Sequence, residues 1–189
     1  MEINFNLKYN YIKLDHLDNF FFNNQQFFKK TINGEHKTNK HKNNLKLIEN
    51  FYDVKFPYGK CFPISQFIFY YFGGYKSNYE LRCIQKIPIK IKDLNFTTSH
   101  WFVFDKTNNA IIDSTKCQFD KLIDIELFYQ KSRRANYGFK WFFKNGERYS
   151  NVVPCKQVIE LYKEYRKIEI NEHLEFFYKE YIKGLNKKN

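Results

Sequence analysis

No two cysteines in this sequence form a CxxC pair, and none of the four (Cys61, Cys83, Cys117, Cys155) has a partner at zinc-ligand spacing. A structural zinc site built on cysteine is therefore excluded, and neither a metal nor another cofactor is expected. No apolar run approaches the roughly 20 residues that a bilayer-spanning helix requires. The stretch MEINFNLKYNYIKLDHLDNF contains no continuous apolar segment of the signal-peptide kind, so free thiols in a reducing, cytoplasmic setting are expected. Internal repeats are absent, which argues against a solenoid or a propeller. So is any recognised nucleic-acid-binding motif.

Aromatic residues, by contrast, are abundant. With 22 Phe, 15 Tyr and 43% hydrophobic residues, the chain has what a packed core needs and a disordered chain lacks. At 189 residues it fits one domain, 1–189, with a sizeable core. The formal net charge is +12 and the sequence pI near 9.4. That balance suits either a lysine-rich solvated surface or a polyanionic partner such as nucleic acid, anionic membrane or cell-wall polymer. The lysines are scattered rather than gathered into one arm.

Residues 1–30 predict short helix or strand pieces around Phe20–Phe22 and Phe27–Phe28. Residues 31–46 are polar and basic and read as a mobile loop, in which His36 and His41 are expected to face solvent rather than hold a metal. Residues 62–72 are apolar on most sides, as in a buried helix, and Gly73-Gly74 can take the left-handed positions that end one. NYELRCIQKIPIKI (78–91) reads as a strand in which Tyr79, Leu81, Cys83 and Ile87 share a face. SHWFVFD (99–105) and AIIDST (110–115), joined by KTNN, read as a hairpin. From Pro154 to about Leu185 apolar residues recur at helical spacing, with Pro154 suited to a first turn and Asn171 to a break.

Cys61 stands where the helix would begin. Unpaired backbone N–H groups and the helix dipole favour a thiolate there, and the same N–H groups can hold a developing oxyanion. Gly59 would let the chain pass close to a substrate. In the hairpin, a loop of residues 106–109 is even-numbered, so Phe102 faces Asp113 and His100 faces Thr115. Side chains alternate across a strand, so His100 and Asp113 become diagonal neighbours on one face. An odd loop without a bulge would separate them. A cysteine to attack a carbonyl, a histidine to take and return its proton, and a carboxylate to orient the histidine are the parts of nucleophilic acyl chemistry. Cys83 and Cys117 read as core or strand residues.

These stretches, a cysteine opening a helix, then SHWFVFD, then IIDSTKCQFD, resemble the papain-like cysteine superfamily. The nearest branches are the transglutaminase-like and NlpC/P60-like ones, in the small bacterial and phage forms that carry GKC…FGG, HW and D-x-T-x-x-QF. The resemblance covers roughly residues 56–120. It implies a papain-like α+β fold, with an N-terminal Cys-bearing helix packed on a small antiparallel sheet. The core region would span about 50–120, and the helical periodicity adds a long C-terminal helix over about 154–185. Residue by residue, Cys61 falls on the nucleophile, His100 on the base and Asp113 on the orienting acid. Tyr58, Gly59, Trp101 and Gln118 are the candidates for substrate or oxyanion contacts, Tyr58 by position only.

The implied activity is a thiol-dependent hydrolase or acyltransferase acting on an amide, ester or isopeptide bond of a peptide, protein or small molecule, through a thioester. Two alternatives stay open. One is a nucleic-acid-binding protein on an inactive papain-like fold, contacting phosphates and bases through Arg133, Arg134, Lys140 and Trp141. The other is a peptidoglycan peptide hydrolase, its positive charge drawn to anionic wall polymers.

Overall fold

A computed structural model describes residues 9–29, 56–57, 59–91, 93–134, 139–144, 147–152 and 154–186. The expected loop at 31–46, with His36 and His41, lies outside them, as does Tyr58.

The chain enters through strand β1 (Asn10–Tyr11) and helix α1 (Asp15–Asn23). Leu17, Phe20 and Phe21, at i, i+3 and i+4, form the buried stripe of α1, and Asp15 and Asp18 in its first turn complement the positive end of the dipole. Helix α2 (Gln26–Lys29) follows. Helix α3 (Cys61–Tyr71) is the centre of the molecule: Cys61, Ile64, Ser65, Gln66, Phe67, Ile68, Phe69 and Tyr70 are all buried. A helix apolar nearly all round is stable only inside a core. Pro63 sits in its first turn, where the missing N–H costs nothing. After α3 the backbone turns left-handed, with φ of 101° at Gly73 and 62° at Gly74. A Cβ on Gly74 would stand 2.8 Å from Phe177 Cζ, so glycine is required there for space as well as for backbone.

A five-stranded sheet runs in the order β1-β4-β3-β2-β5. Its long members are β2 (Tyr79–Ile91) and β3 (Leu94–Asp105), followed by β4 (Ala110–Ile112), then helix α4 (Glu126–Tyr129) and strand β5 (Arg133–Arg134). Neighbours are antiparallel except β1 and β4. The β3–β4 loop is Lys106–Asn109, and Val103 faces Ile112. Asp105 closes this turn by accepting from the Thr107 and Asn108 backbone N–H groups and from Asn108 Nδ2.

One expectation for β2 is corrected. Ile84 faces His100 but Ile87 faces Thr98, so Gln85 and Lys86 together oppose Ser99. This is a β-bulge, with Lys86 in the left-handed region at φ 56°. It reverses the phase of the strand. Leu81 and Cys83 pack with Val103 and Ile112 beneath α3, whereas Ile84, Ile87, Ile89 and Ile91 join Phe102, Ile111 and Phe119 in a second core. Ile87 therefore does not share a face with Leu81 and Cys83. Each Phe or Ile so buried contributes about 1.5–3 kcal/mol.

Strands β6 (Phe139–Lys144) and β7 (Glu147–Val152) form a separate two-stranded sheet. The long C-terminal helix expected from periodicity is in fact two, α5 (Lys156–Tyr165) and α6 (Glu172–Asn186). The break is made by Asn171, whose Oδ1 accepts from the His173 and Leu174 N–H groups and so caps α6. Pro154 lies before α5 rather than in its first turn. The result is an α+β architecture in which the buried, Cys-bearing α3 lies against β3 and β2.

Candidate active site

His100 is wholly buried, one ladder position from the bulge, a feature that re-aims nearby side chains. Its ring meets Phe119 edge-on, with centroids 4.8 Å apart. Asp113 follows the last residue of β4, where the even loop places it diagonal to His100, and its Oδ2 lies 2.5 Å from His100 Nε2. Asp113 is saturated with donors. Oδ1 accepts from the Thr115 backbone N–H and the Thr115 hydroxyl, each at 3.0 Å, and Oδ2 also accepts from the Tyr129 hydroxyl at 2.7 Å. Burial acts to raise the Asp113 pKa, but the facing imidazole and these hydrogen bonds outweigh it and hold the carboxyl below its ordinary value. Burial likewise acts against a charged His100. The Asp113 carboxylate, and then the Cys61 thiol, overcome it and raise the His100 pKa to about 10.

Cys61, the first residue of α3, is 8% exposed. Its thiol interacts with the His100 ring. Asp113 occupies Nε2, so Nδ1, which the Gln118 amide nitrogen also approaches at 3.0 Å, is the nitrogen that can serve the thiol. Cys61 thus stands at a helix start, beside a base whose far nitrogen is anchored by a carboxylate. Pro63 has no N–H and Ile64 N–H donates to the Lys60 carbonyl, which leaves the Cys61 and Phe62 N–H groups without an intrahelical acceptor and able to stabilise negative charge on a bound oxygen. The other three cysteines are also free thiols, and no described histidine acts on any of them. Burial pushes Cys83 up to about 12 and Cys155 up to about 11. Cys117 is a correction as well: it lies exposed in a one-turn 3-10 helix, Lys116–Phe119, and not in a strand or the core.

Of the proposed substrate contacts, three can be placed. Gly59 has φ of 69°, and its N–H donates to Gln118 Oε1 at 3.2 Å. Gln118 Nε2 lies 3.0 Å from His100 Nδ1. The half-buried Trp101 ring meets Phe62 edge-on at 4.6 Å, next to Cys61 in sequence, and Ser65 Oγ donates to the Trp101 carbonyl, tying α3 to β3. Arg133 and Arg134 are exposed on β5, and the Arg134 guanidinium lies over the Tyr75 ring. Lys140 and Trp141 lie on β6, in the other sheet, and their side chains are outside the described residues. Among the described residues no group of three or more His, Cys, Asp or Glu could hold a metal, and no helix is long and apolar enough to cross a membrane. An open groove of about 480 Å³ lined by Pro88, Phe96, Leu122 and Ile123 includes none of Cys61, His100 and Asp113.

Sequence reasoning missed two residues that hold the carboxylate. Thr115 had a local signal, since an Asp that bonds the backbone two residues on is a recognised turn. Tyr129 had none; only packing brings α4 under Asp113. Burial and the Asp113 charge keep the Tyr129 hydroxyl protonated, so it acts as a donor. Replacing Tyr129 with Phe removes one charge-assisted hydrogen bond and is expected to cost about 2 kcal/mol in urea unfolding. Unchanged stability would show that Asp113 does not depend on it.

No family model, curated protein or solved structure matches this chain.

Proposed function

We propose that this chain is a thiol-dependent hydrolase or acyltransferase with a papain-like arrangement of nucleophile, base and orienting acid. The observation that carries the reading is His100, buried with Asp113 on Nε2 and electrostatically coupled to Cys61 at the start of α3. Cys61 Sγ attacks the carbonyl carbon of an amide or ester as its proton passes to His100 Nδ1. The S–C bond forms and the carbonyl π pair moves onto oxygen, towards the α3 N–H groups. The C–N or C–O bond then breaks, and His100 returns the proton to the departing amine or alcohol. Water or an amine next attacks the thioester and gives its proton to His100, and Sγ leaves as the second product is released. Asp113 keeps the Nε2–H tautomer, which leaves the lone pair of the base on Nδ1.

The test uses p-nitrophenyl acetate. Acetylation of Cys61 should release one equivalent of p-nitrophenolate, with the acetyl group located on the Cys61 peptide by mass spectrometry. The signal should disappear in His100→Ala. Added methylamine then separates the two fates: N-methylacetamide marks an acyltransferase and acetate a hydrolase. Absence of acetyl-Cys61, or its undiminished formation without His100, would overturn the proposal.

A further inference from the structure

Gln118 reaches two parts of the site at once, and the chemistry of its neighbours fixes its orientation. The Gly59 backbone N–H can only donate, so the Gln118 oxygen must face it. The Gln118 amide nitrogen is thereby turned to His100 Nδ1 at 3.0 Å. An amide N–H meets Nδ1 favourably only when that nitrogen carries a lone pair. A ring protonated on Nδ1 would set donor against donor. Two demands therefore meet on one imidazole: Asp113 on Nε2 favours the charged ring, and Gln118 on Nδ1 favours the neutral one.

We infer that Gln118 is a positioning residue that restrains proton transfer from Cys61 to His100, opposing the charged ring that Asp113 favours until its amide is drawn away. This rests on the acyl-transfer reading above. Nδ1 offers one lone pair, and the Gln118 N–H and the Cys61 S–H compete for it. A substrate carbonyl oxygen seated at the start of α3 is an acceptor that can take the Gln118 N–H in exchange. Its arrival frees Nδ1 at the moment the nucleophile is needed. The thiolate fraction is then raised when substrate is bound and kept lower in the resting site, where oxidants or stray electrophiles would consume it. Among the described residues, the other titratable groups that act on this balance are Asp113 beyond β4, Tyr129 on α4, Tyr11 and Cys117 through Asp113, and Cys83 on β2 through Cys61.

The experiment is alkylation of the full chain by iodoacetamide, read at the Cys61 peptide by mass spectrometry, with rates compared at about pH 6 and about pH 10. Gln118→Met keeps the side-chain volume and removes the N–H. It should accelerate Cys61 alkylation at the lower pH by about fivefold, the equivalent of one neutral hydrogen bond. At the higher pH, where an ordinary thiol is already ionised, the rate should not change. Gln118→Glu keeps the Gly59 contact and adds a negative charge that would accept the Nδ1 proton in place of the thiol system. It should slow alkylation at the lower pH. Rates that rise equally at both pH values in Gln118→Met would mean better access and overturn the inference; so would two variants indistinguishable from the wild type at the lower pH. A wild-type rate at the lower pH that does not depend on His100 would instead overturn the acyl-transfer reading.

Discussion

Replacing His100 with alanine is expected to slow iodoacetamide alkylation of Cys61 at about pH 6 by about tenfold. An ordinary thiol is almost wholly protonated at that pH, and the thiolate is the nucleophile. Passing the proton to an adjacent imidazole that a buried carboxylate holds ready for charge increases the thiolate by about one to two orders of magnitude. Part of this is offset because a less basic thiolate is a weaker nucleophile, which leaves about a factor of ten. The effect should vanish at about pH 10, where an ordinary thiol is already ionised. Exposed Cys117, on which no described histidine acts, supplies a control in the same spectrum and should be unaffected. If Cys61 in the variant reacts at the wild-type rate at about pH 6, its thiol is not activated by His100 and the acyl-transfer chemistry has no base.

The second large effect concerns Asp113→Asn and pH. The substitution leaves an amide where four donors converge, so at least one of the Thr115, Tyr129 and His100 contacts must be lost. Breaking a buried ion pair from one side costs about 3–5 kcal/mol. The cost depends on pH in a definite sense. The His100 pKa is raised from 6.5 to about 10, so its contribution is fully present below 6.5 and is lost as pH rises through 10. The Asp113 pKa is lowered from 3.8, so its contribution is present above 3.8 and is lost as pH falls through the lower folded value. The difference in unfolding free energy between wild type and variant should therefore be largest between about pH 4 and 6.5 and shrink towards pH 10. Chemical denaturation at three pH values checks this. A difference that grows as pH rises would mean that His100 is not held in its charged form by Asp113.

Much of this site was legible from local pattern. His100 and Asp113 could be placed together by counting: a four-residue loop and a two-residue side-chain period leave no other register without a bulge. The start of α3 at Cys61 followed from an apolar run bounded by a glycine pair. The same counting failed along β2, where one extra residue at Gln85–Lys86 shifted the phase and moved Ile87 to the other core. A bulge has no fixed composition, and IQKIPI alternates just as well without one. The C-terminal helix was misread for a related reason: apolar spacing continues across Arg166–Asn171, and Asn171 shows itself as a cap only when the His173 and Leu174 N–H groups turn to meet it.

By itself the sequence determined the chemical parts and their local geometry: a thiol at a helix start, a histidine and an aspartate sharing a strand face, and enough aromatic surface to bury them. Those properties depend on backbone periodicity and turn length, which operate over a few residues. Only the tertiary structure decided what surrounds the parts. Tyr129 reaches Asp113 from α4, and Gln118 spans from Gly59 to His100, because two cores pack against the sheet and bring together segments that share no local pattern. Side-chain identity determined which reaction could be attempted here; long-range packing set how the proton on His100 is held.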